Sequence, residues 1–159
     1  MDVLNNWWPV IVAGLVVYVV VRRMVGEPLN AKDVFVPPVI MLALGVRALT
    51  EVSLTGTDLF WIVAGSLVGV VFGAVRASTT VLFERDGALW QRYTWRTLAV
   101  WALSLAAGFG VGLLGVRFGL HAEARPIPLS IGVGLLGEAM VIGVRGRAAG
   151  VPYARDRGR

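Results

Sequence analysis

The sequence has no cysteine and only one histidine, His121, in 159 residues. The chain by itself therefore has no disulfide, thiolate metal centre or thiol relay to offer. A single imidazole is too little for a bis-histidine haem, and no methionine is placed to complete a copper or zinc shell around it. Charge is scarce as well: Asp, Glu, Lys and Arg make up 16% of the chain, against about 25% in a soluble domain. Also missing are a Ser-His-Asp set, a phosphate-binding glycine loop after a strand and a paired-carboxylate pattern. The glycines at 108–112 lie inside an apolar run instead. No acid, base and nucleophile can be assembled, so the expectation is a non-enzyme without catalytic residue, metal or cofactor.

Apolar sequence takes up the room. Hydrophobic residues make up 57% of the chain, with a mean hydropathy of +0.73, where soluble domains carry about 45–50%. The surplus calls for a bilayer. Five stretches approach the length of a membrane span: 7–21, 34–50, 58–75, 95–116 and 127–144. The first has only Asp2 before it and ends at Arg22 and Arg23, the reverse of a secretory signal, so it is expected to remain as a helix. Trp7, Trp8 and Pro9 suit an interfacial start. In the second, Pro37 and Pro38 sit near the beginning, where a missing N–H costs least, and Arg47 sits near the end.

Counting basic residues decides whether the second stretch crosses, because cytoplasmic loops retain Lys and Arg. With five spans, Arg22, Arg23, Lys32, Arg76, Arg85, Arg92, Arg96, Arg145, Arg147, Arg155, Arg157 and Arg159 share the inner side, 12 of the 15. Only Arg47, Arg117 and Arg125 lie outward. If the second stretch does not cross, the later segments flip and the bias reverses. The reading is a multi-pass plasma-membrane protein with its N-terminus outside and its C-terminus cytoplasmic. The +5 charge, which in a soluble chain suggests nucleic acid, is then an orientation signal, and no nucleic-acid partner is expected. Residues 1–144 form the five-span membrane domain, and 145–159 a basic tail expected to be unstructured. The tail either contacts anionic lipid headgroups, at about 1 kcal/mol per basic residue, or serves topology alone.

Small residues recur at helical spacing. Gly65, Gly69 and Gly73 form one stripe on the third span, Gly108 and Gly112 continue the device on the fourth, and Ser130 and Gly134, beside Gly137, on the fifth. Small residues allow the close backbone approach that packs helices in lipid, so a tight bundle of these three spans is expected, with a second copy of the chain as an alternative partner. Between the third and fourth spans, β-formers flank Asp86-Gly87, a type I′ turn pair. That turn sets Phe83 opposite Trp90 and Val81 opposite Arg92. The fold class is thus an all-α membrane bundle of five spans with a short cytoplasmic β-hairpin, and Phe83, Asp86, Gly87, Trp90 and Arg92 form either a connection or a surface for a membrane-protein partner.

Glu138 is the one carboxylate well inside a span, and an intramembrane ionisable group is a functional hypothesis by default. It serves either a proton or cation relay or an internal pair with Arg76 or Arg96. Arg47 can snorkel to the interface or meet Glu51 or Asp58.

Gly65, Gly69, Arg76, Thr79 or Thr80, Gly87, Trp90, Arg92, Trp95 and Trp101, with Glu27-Pro28-Leu29 after Arg22 and Arg23, resemble the pattern of the CcdC-like small bacterial membrane proteins, also grouped as a domain of unknown function. The resemblance implies a polytopic bacterial plasma-membrane protein, with a family name borrowed from cytochrome c maturation and no established activity. The functional expectation is a non-enzymatic accessory or regulatory subunit acting through helix packing and the hairpin. A small ion- or proton-coupled transporter using Glu138 is the alternative.

Overall fold

The computed structural model describes Tyr18, Val21 and the continuous run 23–154. The expected first span therefore lies outside the described residues except for Tyr18 and Val21, and so does the end of the tail, 155–159. The elements in order are β1 (Glu27–Pro28), α1 (Ala31–Thr50), α2 (Gly56–Thr79), β2 (Val81–Arg85), β3 (Ala88–Arg92), α3 (Trp95–Arg117) and α4 (Ile127–Ala148), with a 3-10 turn at Ala122–Ala124. The four α-helices are each long and apolar enough to cross a membrane. Large apolar side chains such as Leu59, Phe60, Leu67 and Val71 on α2, and Leu105, Phe109 and Leu113 on α3, are exposed. A water-soluble fold does not leave so much apolar surface open.

Local caps set the helix starts. The Asn30 side chain accepts from the Lys32 N–H at 3.0 Å and opens α1 at Ala31, three residues before the expected start. Pro37 and Pro38 are consequently in the second turn and not the first, where each removes a helical hydrogen bond. Thr55 and Asp58 form a reciprocal capping box on α2, and Thr94 and Thr97 form one on α3. Pro126 precedes α4 with Pro128 in its first turn, where proline is tolerated.

The hairpin forms as expected. Asp86 and Gly87 have φ of 54° and 70°, and the register pairs Phe83 with Trp90 and Val81 with Arg92. It does not stand alone. The three-stranded sheet has the order β1-β3-β2, so β3 is central and β2 is an edge. Leu29 N–H donates to Leu89 C=O at 2.8 Å, Leu89 N–H to Pro152 C=O at 3.0 Å, and Ala154 N–H to Leu29 C=O at 2.9 Å. The chain after α4 is thus stitched to the sheet. The expectation of an unstructured tail from 145 fails for its first part: α4 continues to Ala148, and residues 151–154 bond to backbone that β1 and the hairpin leave unpaired. Leu29, Ala77, Leu89 and Ile142 make the buried apolar core beneath this sheet.

α4 packs against α1 and α2, while the main helix contact of α3 is with α2. Glycines permit the close crossings. A Cβ on Gly73 would lie 2.1 Å from the Gly134 carbonyl oxygen, and one on Gly137 2.2 Å from that of Val70. Gly45 and Gly132 do the same between α1 and α4. The expected tight bundle of the last three helices is not formed, because α3 and α4 stand apart. Among the described residues a Cβ on Gly108 would meet nothing within 4 Å, and Gly112 is covered by the Arg125 side chain and not by a helix backbone. Helical spacing identifies a small-residue face without saying which neighbour it meets.

Candidate functional site

The antiparallel helices give the molecule two ends, one carrying the sheet and the other His121. Most polar side chains of interest converge at the sheet end. Glu138 on α4 and Arg76 on α2 are 6% and 8% exposed, too buried for water to neutralise either charge. Arg76 Nε and Nη2 donate to Glu138 Oε2 at 2.8 and 2.5 Å. The other carboxylate oxygen accepts from the Tyr93 hydroxyl at 3.1 Å and lies 4.0 Å from Arg23 Nη1. Arg23 also donates to the Tyr93 hydroxyl and pairs with Glu27 at 3.3 Å.

This cluster brings four parts of the chain together: the stretch before β1, the end of β3, α2 and α4. Tyr93 N–H donates to the Arg23 carbonyl at 2.9 Å, fixing backbone as well as side chains. Burial and the nearby Glu138 charge push the Tyr93 phenol up to about 12, so it remains a hydrogen-bond donor at any physiological pH. The Arg76 guanidinium lies over the Trp101 ring at 5.6 Å, which ties α3 to the same point. Gln91 donates to Glu27 at 3.1 Å, while its side-chain oxygen is buried without a partner among the described residues.

Arg145 completes this end. Its Nη1 donates to the carbonyls of Ala77 at 2.5 Å and Thr80 at 2.8 Å. Those groups end α2, where a cation is favoured by the helix dipole. Of the alternatives for Glu138, the internal pair with Arg76 is the one formed. Arg96 is exposed and takes no part.

At the opposite end Asp58 is fully buried. Oδ1 accepts from the His121 N–H at 2.9 Å, Oδ2 accepts from the Thr55 N–H at 2.9 Å and hydroxyl at 2.7 Å, and His121 Nδ1 lies within 3.1 Å of both oxygens. The arrangement staples the α3–α4 connection to the start of α2. Arg47 meets Glu51 at 4.0 Å with both side chains largely in solvent, and it does not meet Asp58. Sequence reasoning passed over Tyr93, Arg23 and the Asp58–His121 contact. Their partners are 45 to 70 residues away, and no local pattern marks a pairing at that range.

The hairpin residues divide between two faces. Leu89 and Gln91 point into the protein, while Phe83, Arg85, Trp90 and Arg92 share the other face. There Phe83 and Trp90 have ring centroids 6.4 Å apart, and the Arg85 guanidinium lies 4.9 Å over the Trp90 ring. Among the described residues no strand lies on the outer side of β2, which leaves its backbone as an edge for pairing.

Between α3 and α4, floored by α2, runs an open cleft of about 540 Å³. The six glycines assigned to helix packing, Gly65, Gly69, Gly73, Gly108, Gly112 and Gly134, all line it. Arg76 is at its sheet end and Arg125 at the other. Among the described residues no group of three or more His, Asp and Glu is placed to hold a metal. Comparison of the chain with protein-family models, with curated proteins and with solved structures finds no match to any of them.

Proposed function

We propose that this integral membrane protein is a non-enzymatic accessory or regulatory subunit that presents its sheet to a membrane-protein partner. The observation that carries the reading is the state of Glu138. A transport carboxylate must exchange its ion with a path, yet this one is occupied by Arg76 and Tyr93 and approached by Arg23. It works as a latch, holding three chain segments and the sheet at fixed positions. Rigid support with an open β2 edge and an aromatic-basic face suits docking of an extended segment.

The cytoplasmic placement of that face rests on the positive-inside rule. Arg23, Lys32, Arg76, Arg85, Arg92, Arg96, Arg145 and Arg147 are at the sheet end, against Arg47, Arg117 and Arg125 at the other. A bacterial plasma membrane and CcdC-like membership belong to the same proposal and rest on the sequence resemblance. The reading is checked by a photo-crosslinking residue at Trp90 in intact membranes. One defined membrane protein should be captured, and capture should disappear when Phe83 and Arg92 are replaced. Capture of lipid alone overturns the docking role. The transport alternative predicts ion flux in proteoliposomes that Glu138→Gln abolishes, whereas the latch predicts no flux to lose.

A further inference from the structure

We infer that the cleft between α3 and α4 is a binding site for one anionic phospholipid, with an acyl chain along the glycine-lined floor and the headgroup phosphate on Arg125. The cleft is open along one side, and its walls include Phe109, Leu105 and Leu135 between the glycines. Its volume of about 540 Å³ lies within the range of small-ligand sites, about 300–1,000 Å³. Water is a poor occupant of apolar walls. A hydrocarbon chain fits where side chains are absent: among the described residues a Cβ on Gly108 would meet nothing within 4 Å and one on Gly65 only the Val111 methyl at 3.8 Å.

The ends of the cleft differ in a way that selects the ligand. At the sheet end the basic residue that lines the cleft, Arg76, is already neutralised by Glu138. At the other end the Arg125 guanidinium folds across Gly112, where a Cβ would be 1.8 Å from its Nη2. Any side chain at 112 would displace it. Among the described residues Arg125 has neither hydrogen bond nor ion pair, Glu123 on the same loop included. A planar guanidinium at the mouth of a hydrocarbon groove matches a phosphodiester, which it can bind through two parallel N–H donors. Arg117, in the last turn of α3 at the same end of the molecule, adds positive charge to that end. Basic pockets between membrane helices are known settings for anionic headgroups.

Trp61 and Trp101 line the cleft and report on its occupant. The full chain, with its other tryptophans replaced by phenylalanine, is reconstituted in phosphatidylcholine vesicles containing either brominated phosphatidylglycerol or brominated phosphatidylcholine. Phosphatidylglycerol is expected to quench at about fivefold lower mole fraction, the preference that one basic residue gives at a membrane surface. Arg125→Gln should bring the two lipids level, and Gly108→Phe should remove the excess quenching by filling the groove. Both variants should keep the helical circular dichroism of the parent. Equal quenching by both lipids in the parent, or a preference that survives Arg125→Gln, overturns the site. So does a disulfide in the double variant Gly14→Cys, Gly108→Cys. Within one chain it would put residues 7–21 in the cleft, and between chains a second copy. The native absence of cysteine makes that cross-link unambiguous.

Discussion

Glu138 shows how a single residue changes meaning between sequence and structure. In sequence it is an isolated acid in an apolar run, which points to ion chemistry. In the fold its oxygens face Arg76, Tyr93 and Arg23, and the same acid is a structural hub. Glu138→Gln leaves the Arg76 charge buried with a weaker acceptor, and breaking such a pair costs about 3–5 kcal/mol. A thermal or denaturant melt in mild detergent should show the loss, and adding Arg76→Met should recover much of it. Tyr93 gives a second measurement. Its folded pKa of about 12 is above the ordinary phenol value of 10.0, so the proton is bound more tightly in the folded state. Its contribution is therefore complete below about pH 10 and is lost as pH rises through 12. Phenolate absorbance should show one of the three tyrosines ionising last, and Tyr93→Phe should remove that late step.

Among the elements, the hairpin was the most legible. Asp86-Gly87 requires positive φ at both positions, and that local demand sets the whole Phe83–Trp90 register. β1 was invisible by contrast. Two residues, one of them proline, have no periodicity to display, and Glu27–Pro28 become a strand only because β3 lies beside them. The glycine stripes were legible in position and misread in partner. Gly73 and Gly137 face backbone of the opposing helix, whereas Gly108 faces none of the described residues. Gly73→Val is therefore expected to weaken or abolish folding, because two helix backbones must separate to admit it, while Gly108→Val should leave the melting temperature within a few degrees of the parent. Melting of the two variants side by side checks the assignment.

At the scale of the molecule, four of the five expected spans appear as helices that alternate between two ends. Hydropathy carries that information because length and apolarity are properties of a segment alone. The relation between helices is a property of pairs, so the open cleft has no signature in any one segment. Sidedness is checked with reporters fused after Arg147 and in the His121 loop. A cytoplasmic signal is expected from the first and an external one from the second, and the opposite pair would reverse the placement of the docking face.

The strand β3 borrows its partners from far apart in the chain: β1 and Leu29 before α1, β2 beside it, and Pro152 after α4. This has a consequence for biogenesis. During synthesis the Leu89 N–H waits for its acceptor until the last helix has been inserted and the chain beyond it has emerged. Assembly of the sheet thus reports that every described helix has crossed in the correct direction, since one inverted helix would leave Pro152 or Leu29 on the wrong side of the membrane. An incomplete sheet would expose the buried Leu89 and Gln91, the kind of surface by which quality-control proteases distinguish a failed insertion from a finished one.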